Sequence, residues 1–220
     1  MKSFYITHIA RLYIRIKYKK EHKKERRLLP DNYKLILQEF AEKSPANGAR
    51  ILYLWFWDYG GKYPNAAATI PGLIVINCAW ALLLIDKCND ETTTDAFNMT
   101  VGHERTHQEK DYPYIRPFTK NQKFVNWINE IHADYGGIMK AFEGDVNRGI
   151  NALEFKKNCK GDKDKDHRSH PSWKSRIDYM DHIKKNGFNA NLIKQVAKDT
   201  GCKDQKLINK VCEHYGIEVK

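Results

Sequence analysis

The chain has 220 residues, with 38 Lys plus Arg against 27 Asp plus Glu for a formal net charge of +11, and 41% of it is hydrophobic. That length suits one domain with appendages or two small ones, and a chain this apolar and aromatic is neither disordered, nor collagenous, nor a coiled coil. Five cysteines without a CxxC pair make no disulfide framework, which points to a reducing compartment.

Residues 1–27 carry ten Lys or Arg against Glu21 and Glu25, so most of the net charge belongs to this arm. Tyr5, Ile9, Leu12, Tyr13 and Ile16 recur at helical spacing, which predicts a basic amphipathic helix. Such a helix docks on the body with its basic face solvated, or lies on an anionic membrane. Arg11, Arg15 and Lys17 stand where a secretory signal needs an unbroken apolar stretch, so none is expected. No nucleic-acid module accompanies the charge, and no specific nucleic-acid partner is expected.

Asp31 to Lys43 reads as a helix closed by Ser44-Pro45. Ile51 to Trp57 is an apolar run of strand length, and a second extended stretch, Asn65 to Thr69, leads through Pro71-Gly72 into the β-branched Leu73 to Ile76. The uncharged window Ala66 to Ile85 is broken by Pro71, Gly72 and Asn77, so it is read as strand and helix and not as a membrane span. Helices are predicted at Ala79 to Cys88, then from a Thr92 to Asp95 cap to about Asp111, then at Asn121 to Phe142. Further helices follow at Asp145 to Asn158, Ser172 to Lys185, Leu192 to Lys198 and Gln205 to Tyr215, with a charged loop from Lys160 to His170. The order describes an α+β protein whose C-terminal part is mostly helical.

The chemistry is concentrated in His103-Glu104-Arg-Thr-His107, an HExxH pattern inside the second of these helices. Residues four apart share a helical face, so both imidazoles can reach one zinc ion while Glu104 holds a water beside it. Catalytic zinc takes three protein ligands and an open position, so a third must come from another element. The run after His107 lacks the Gly and His of a metzincin, and the next helix offers Glu130-Ile-His-Ala-Asp134. Glu130 and Asp134 share a face, so the first can ligate zinc while the second accepts a ligand ring N–H. His132 is the alternative third ligand; it lies roughly 200° around the helix from Glu130, so only one of the two faces the site.

This pairing of HExxH with a later ExxxD resembles the gluzincin metallopeptidases of the group that holds the CAAX prenyl proteases, HtpX and mitochondrial OMA. Ser169-His170-Pro171 followed by Arg176 is similar to the His-Pro and Arg of that family, and Asn65-Ala66 through Ile76 is similar to its Asn-Ala stretch before the zinc helix. The resemblance covers roughly residues 31 to 185 and is nearest to the small soluble members, the minigluzincins. It implies a zincin-like fold, with a small mixed sheet whose edge strand takes substrate, an active-site helix and a glutamate helix after it.

It also implies one catalytic Zn²⁺ held by His103, His107 and Glu130, and a zinc-bound water activated by Glu104 for peptide-bond hydrolysis. Asp134 would support a ligand, His170 would hold the oxyanion, and Arg176 would brace the site. Asn65 and the strand Leu73, Ile74, Val75 and Ile76 would bind peptide or protein substrate by strand addition. The expected organisation is an arm at 1–27, a catalytic domain at 28–186 and a helical extension at 187–220, in a cytoplasmic protein whose arm is the candidate for peripheral membrane contact. The rival reading is a latent zymogen or a silent zincin that serves as a protein-binding module.

Overall fold

The computed structural model describes residues 32–47, 53–57, 63–70, 73–86, 90–113, 120–161 and 164–218, and the basic arm expected at 1–27 lies outside them. The described chain is mostly helical, with one small sheet near its start. Helix α1 (Tyr33–Lys43) buries Tyr33, Leu37 and Ala41, the i, i+4, i+8 stripe of an amphipathic helix, and ends where Ser44 turns extended before Pro45. A single 3₁₀ turn, Pro45–Asn47, follows.

Three strands come next: β1 (Tyr53–Trp57), β2 (Ala66–Ile70) and β3 (Leu73–Asn77). Their order is β1-β3-β2, with β1 parallel and β2 antiparallel to β3. This corrects the expectation that Leu73 to Ile76 forms the edge: it is the central strand. The reason is visible in its composition. Ile74, Val75 and Ile76 are all buried, so both faces of the strand are covered, and a continuous β-branched run of this kind is what an interior strand carries. The edge falls to the alanine-rich β2.

Asn77, the last residue of β3, fixes where β2 begins. Its side chain is buried, accepts from Asn65 N–H at 3.0 Å and donates to Tyr63 O at 2.8 Å, while its own N–H reaches Asn65 O at 3.0 Å. Both backbone groups of Asn65 are thus taken on the β3 side. Backbone groups alternate along an antiparallel strand, so Ala66 and Ala68 turn theirs to the other edge, which no described strand pairs with.

The rest is helical: α2 (Ala79–Asp86), α3 (Glu91–Lys110), α4 (Lys120–Phe142), α5 (Val146–Lys160), α6 (Trp173–Asn186), α7 (Ala190–Thr200) and α8 (Gln205–His214). The cap of α3 is Asp90 and not the Thr92 to Asp95 run. Its carboxylate accepts from Thr92 N–H and Thr93 Oγ1–H, satisfying first-turn donors that the threonines cannot serve from inside the helix. Asp145, Ser172, Asn189 and Asp204 cap α5 to α8 in the same way. One hydrophobic core runs from Leu37 through Trp80, Phe97, Phe124 and Ile128 to Val196 and Val211, so α7 and α8 share it with the helices before them. No helix among the described residues is long and apolar enough to cross a membrane, and the uncharged window is divided among β2, β3 and α2.

Candidate metal centre

Helices α3 and α4 approach closely because glycines face each other where they cross. A Cβ on Gly102 would lie 3.0 Å from Gly137 Cα, and one on Gly137 would lie 3.0 Å from both His103 N and Met99 O. Glycine inside a helix costs about 1 kcal/mol relative to alanine, so its placement here has a packing reason. The closeness sets the glutamate of α4 against the histidines of α3.

His103 Nε2 lies 2.9 Å from His107 Nε2 and 3.5 Å from a Glu130 oxygen, and His107 Nε2 lies 3.6 Å from the other Glu130 oxygen. Ligand atoms ~2.0–2.1 Å from a tetrahedral zinc stand ~3.3 Å from one another, and here one donor atom from each of the three residues lies within 4.8 Å of the other two. The donor set of two imidazoles and one carboxylate matches a catalytic zinc site, and the three are a metal-competent group among the described residues. His132 is turned away, packed on Tyr215 and Phe188 with ring centroids at 4.2 and 5.2 Å.

Each ligand histidine has a carboxylate behind it. His103 Nδ1 is 2.9 Å from Asp134 Oδ1, and His107 Nδ1 is 2.8 Å from Asp111 Oδ1. A partner of this kind fixes the tautomer and aims Nε2 at the metal position. Asp134 is buried and also accepts two hydrogen bonds from Arg176, from Nε at 2.6 Å and from a terminal nitrogen, while Arg176 lies 3.2 Å from Glu130. Arg176 itself stacks over the Trp173 ring at 4.1 Å, so α6 locks the carboxylates of α4 in place.

Burial alone would lower the pKa of His103, but the hydrogen bonds to Asp134 and Glu130 outweigh it and raise it to about 9. His107 is raised as well: burial and the nearby His103 oppose protonation, and Asp111 and Glu130 overcome both. Glu130 is driven well below the carboxylate range, because its bond to His103 and the charge of Arg176 exceed the opposing effect of burial.

The three candidate ligands sit in the wall of a cleft of about 580 Å³ that also takes in Asn65 to Ala68, His170 and part of α5. Glu104 is buried beside them, and its Oε2 accepts from Ala68 N–H at 2.5 Å, across the free edge of β2. His170 is half-buried, with Nδ1 2.8 Å from Ser169 Oγ, and burial lowers its pKa. Its loop is pinned to α4 by Trp127 Nε1–H donating to His167 O at 2.8 Å. Asp164 and Asp166 hold it to the start of α6 by accepting from Trp173 and Ser172 N–H.

The structure therefore gathers His103, Glu104, His107, Glu130, Asp134, His170, Arg176 and Asn65 around one cleft. Of the expected substrate strand Leu73 to Ile76, it does not bring Ile74, Val75 or Ile76 there. Their strand is paired on both sides, and Ile74, Val75 and Ile76 are buried in the core, so the sheet edge expected at Leu73 to Ile76 lies instead at β2. Sequence reasoning missed Asp111, whose i+4 spacing from His107 was available, and Asn77, visible as the polar residue ending an apolar strand. It also missed Lys156, which lines the cleft from α5. No residue after Arg176 lines this cleft among the described residues. Comparison of the chain with known family models, characterised proteins and solved structures finds no match in any of the three.

Proposed function

We propose that the protein is a zinc-dependent metalloendopeptidase of the gluzincin type, acting on extended peptide or protein segments. The observation that carries this reading is the convergence of His103, His107 and Glu130, with donor atoms within 4.8 Å of one another, beside the Glu104 carboxylate and a strand edge that no other described strand pairs with. A zinc ion held there supplies Lewis acidity, polarising the scissile carbonyl and making a nucleophile from water near neutral pH.

The chain's own residues do the rest. The outward carbonyls of Ala66 and Ala68 and the N–H of Ala66 pair with a peptide laid along β2, since Ala68 N–H is already held by Glu104. That registers the scissile bond against the ligand cluster and spends orientation entropy before the reaction. Glu104 takes the proton from the attacking water on a carboxylate oxygen and returns it to the leaving amine nitrogen. In the tautomer whose Nδ1 accepts from Ser169 Oγ–H, His170 carries its proton on Nε2 and would donate to the developing oxyanion. Arg176 and Asp134 touch neither substrate nor proton; they hold Glu130 and His103 in position.

The test is mass-spectrometric profiling of a complex peptide mixture with the zinc-loaded protein, Glu104→Gln and a chelated control. Cuts confined to the zinc-loaded wild type, with turnover reduced at least ~10²-fold in Glu104→Gln, are expected. Equal cutting by Glu104→Gln, or no cutting by protein with zinc bound, would refute the reading.

A further inference from the structure

The α5 wall of the cleft holds a lysine with no counter-ion among the described residues. Lys156 is 8% exposed, yet its Nζ makes a single long hydrogen bond, 3.4 Å to Pro64 O, and otherwise lies over the rings of Trp80 at 4.6 Å and Trp173 at 5.5 Å. No carboxylate among the described residues pairs with it. An ammonium taken out of water without a partner is costly, and aromatic faces and one carbonyl return only part of that cost. Burial, with Arg176 adding to it and Glu104 partly opposing, lowers its pKa to about 7.

The carboxylates lining the same cleft are engaged elsewhere. Asp134 is held by His103 and Arg176, Asp111 by His107, and Glu130 by Arg176. Asp164 accepts from Trp173 N–H and Lys174 N–H at 2.8 and 3.0 Å, and Glu104 accepts from Ala68 N–H. Lys160, one turn beyond Lys156 on α5, and Lys165 line the same cleft and add to its positive field. Ala152 and Leu153, one turn before it, give the neighbouring wall an apolar character. A short apolar stem ending in a negative group matches this combination.

We propose that Lys156 is a specificity-determining residue that receives a carboxylate of the bound peptide, from an Asp or Glu side chain or from the chain terminus. The link to the substrate strand is direct: the carbonyl that holds Nζ belongs to Pro64, two residues before Ala66 at the start of β2. A peptide paired along that edge passes its side chains in front of α5. The inference rests on the cleft being the peptide site, and the experiment separates the two ideas.

Binding is measured by fluorescence anisotropy on the zinc-loaded Glu104→Gln protein, which holds peptide without turning it over. The probes are labelled peptides matched in all but one group: Glu against Gln at each internal position, and free acid against amide at the C-terminus. A charge-assisted hydrogen bond in this setting predicts about ten- to a hundredfold tighter binding of the acid member of one pair. In Glu104→Gln with Lys156→Met that preference disappears while the neutral peptide still binds, and in Glu104→Gln with Lys156→Arg it persists. Which pair responds distinguishes a side-chain carboxylate from a terminal one.

Equal binding of acid and neutral members, including no binding of either, overturns the proposal whatever the Met variant does. A preference that survives Lys156→Met overturns it as well. Cleavage by the wild type without any acidic preference would sink the Lys156 role and leave the peptidase reading intact. An acidic preference in binding, with no cleavage by the wild type, would do the reverse.

Discussion

Gly137→Ala tests the packing that assembles the metal centre. The added Cβ would sit 3.0 Å from His103 N and Met99 O and 3.4 Å from His103 Cα, and all of these are backbone atoms of α3 that no rotamer change can move. Bringing the closest contacts to 3.4 Å requires α3 and α4 to separate by about 0.4 Å. On a solvated helix face the same substitution stabilises by about 1 kcal/mol. Here overpacking of about 1–3 kcal/mol opposes that gain, so the expected outcome is no gain or a net loss of up to about 2 kcal/mol. The shift also matters to the ligands, because a metal site tolerates only about 0.2 Å of displacement, and zinc binding is expected to weaken about tenfold. Urea denaturation with an unchanged m-value reads the stability, and competition with a chromophoric chelator reads the affinity. A variant more stable than the wild type by about 1 kcal/mol, with zinc affinity intact, would show that the two helices are not in close contact at this point.

The carboxylates behind the histidines differ in burial, and their removal should differ accordingly. Asp111→Asn is expected to weaken zinc about tenfold in chelator competition with little change in melting temperature. Asp134→Ala should weaken zinc up to about 100-fold and cost about 3 kcal/mol in denaturant, the low end for breaking a buried pair because Glu130 still faces Arg176. Zinc affinity should rise with pH from about 6 toward about 9, since metal must displace the proton on His103 whose folded pKa is raised to about 9. The sign for the metal-free fold is opposite: that proton's stabilisation is complete below the unfolded value of 6.5 and is lost as pH rises through about 9. Calorimetry that found no proton release on zinc binding at pH 7 would contradict this.

Much of the candidate site was legible because it is local. His103, Glu104 and His107 lie within one and a half turns of a helix whose rotation places them without reference to the rest of the chain. The same holds for Glu130 and Asp134, and it would have held for Asp111 had the i+4 rule been carried past the second histidine. The α+β order and the helices to either side followed from hydrophobic period and from capping residues, with errors of a few residues at the ends, as at Asp90.

Strand order was not legible in the same way. A run such as Leu-Ile-Val-Ile states that a strand is buried on both faces, but which neighbour pairs with each side depends on closures between residues far apart in the chain. The edge therefore passed from β3 to β2. Gly102 and Gly137 read in isolation as weak points in two helices, and their role exists only where those helices meet. Lys156 gave no signal at all, because a lysine on an amphipathic helix is ordinarily solvated, and only the packing of α5 against Trp80, Trp173 and Pro64 buries it. Helical periodicity and residue chemistry thus sufficed to single out His103, His107 and Glu130, which the structure brings together, and Glu104 beside them. The cleft, its strand edge and its buried lysine come from long-range packing, whose geometry no local pattern encodes.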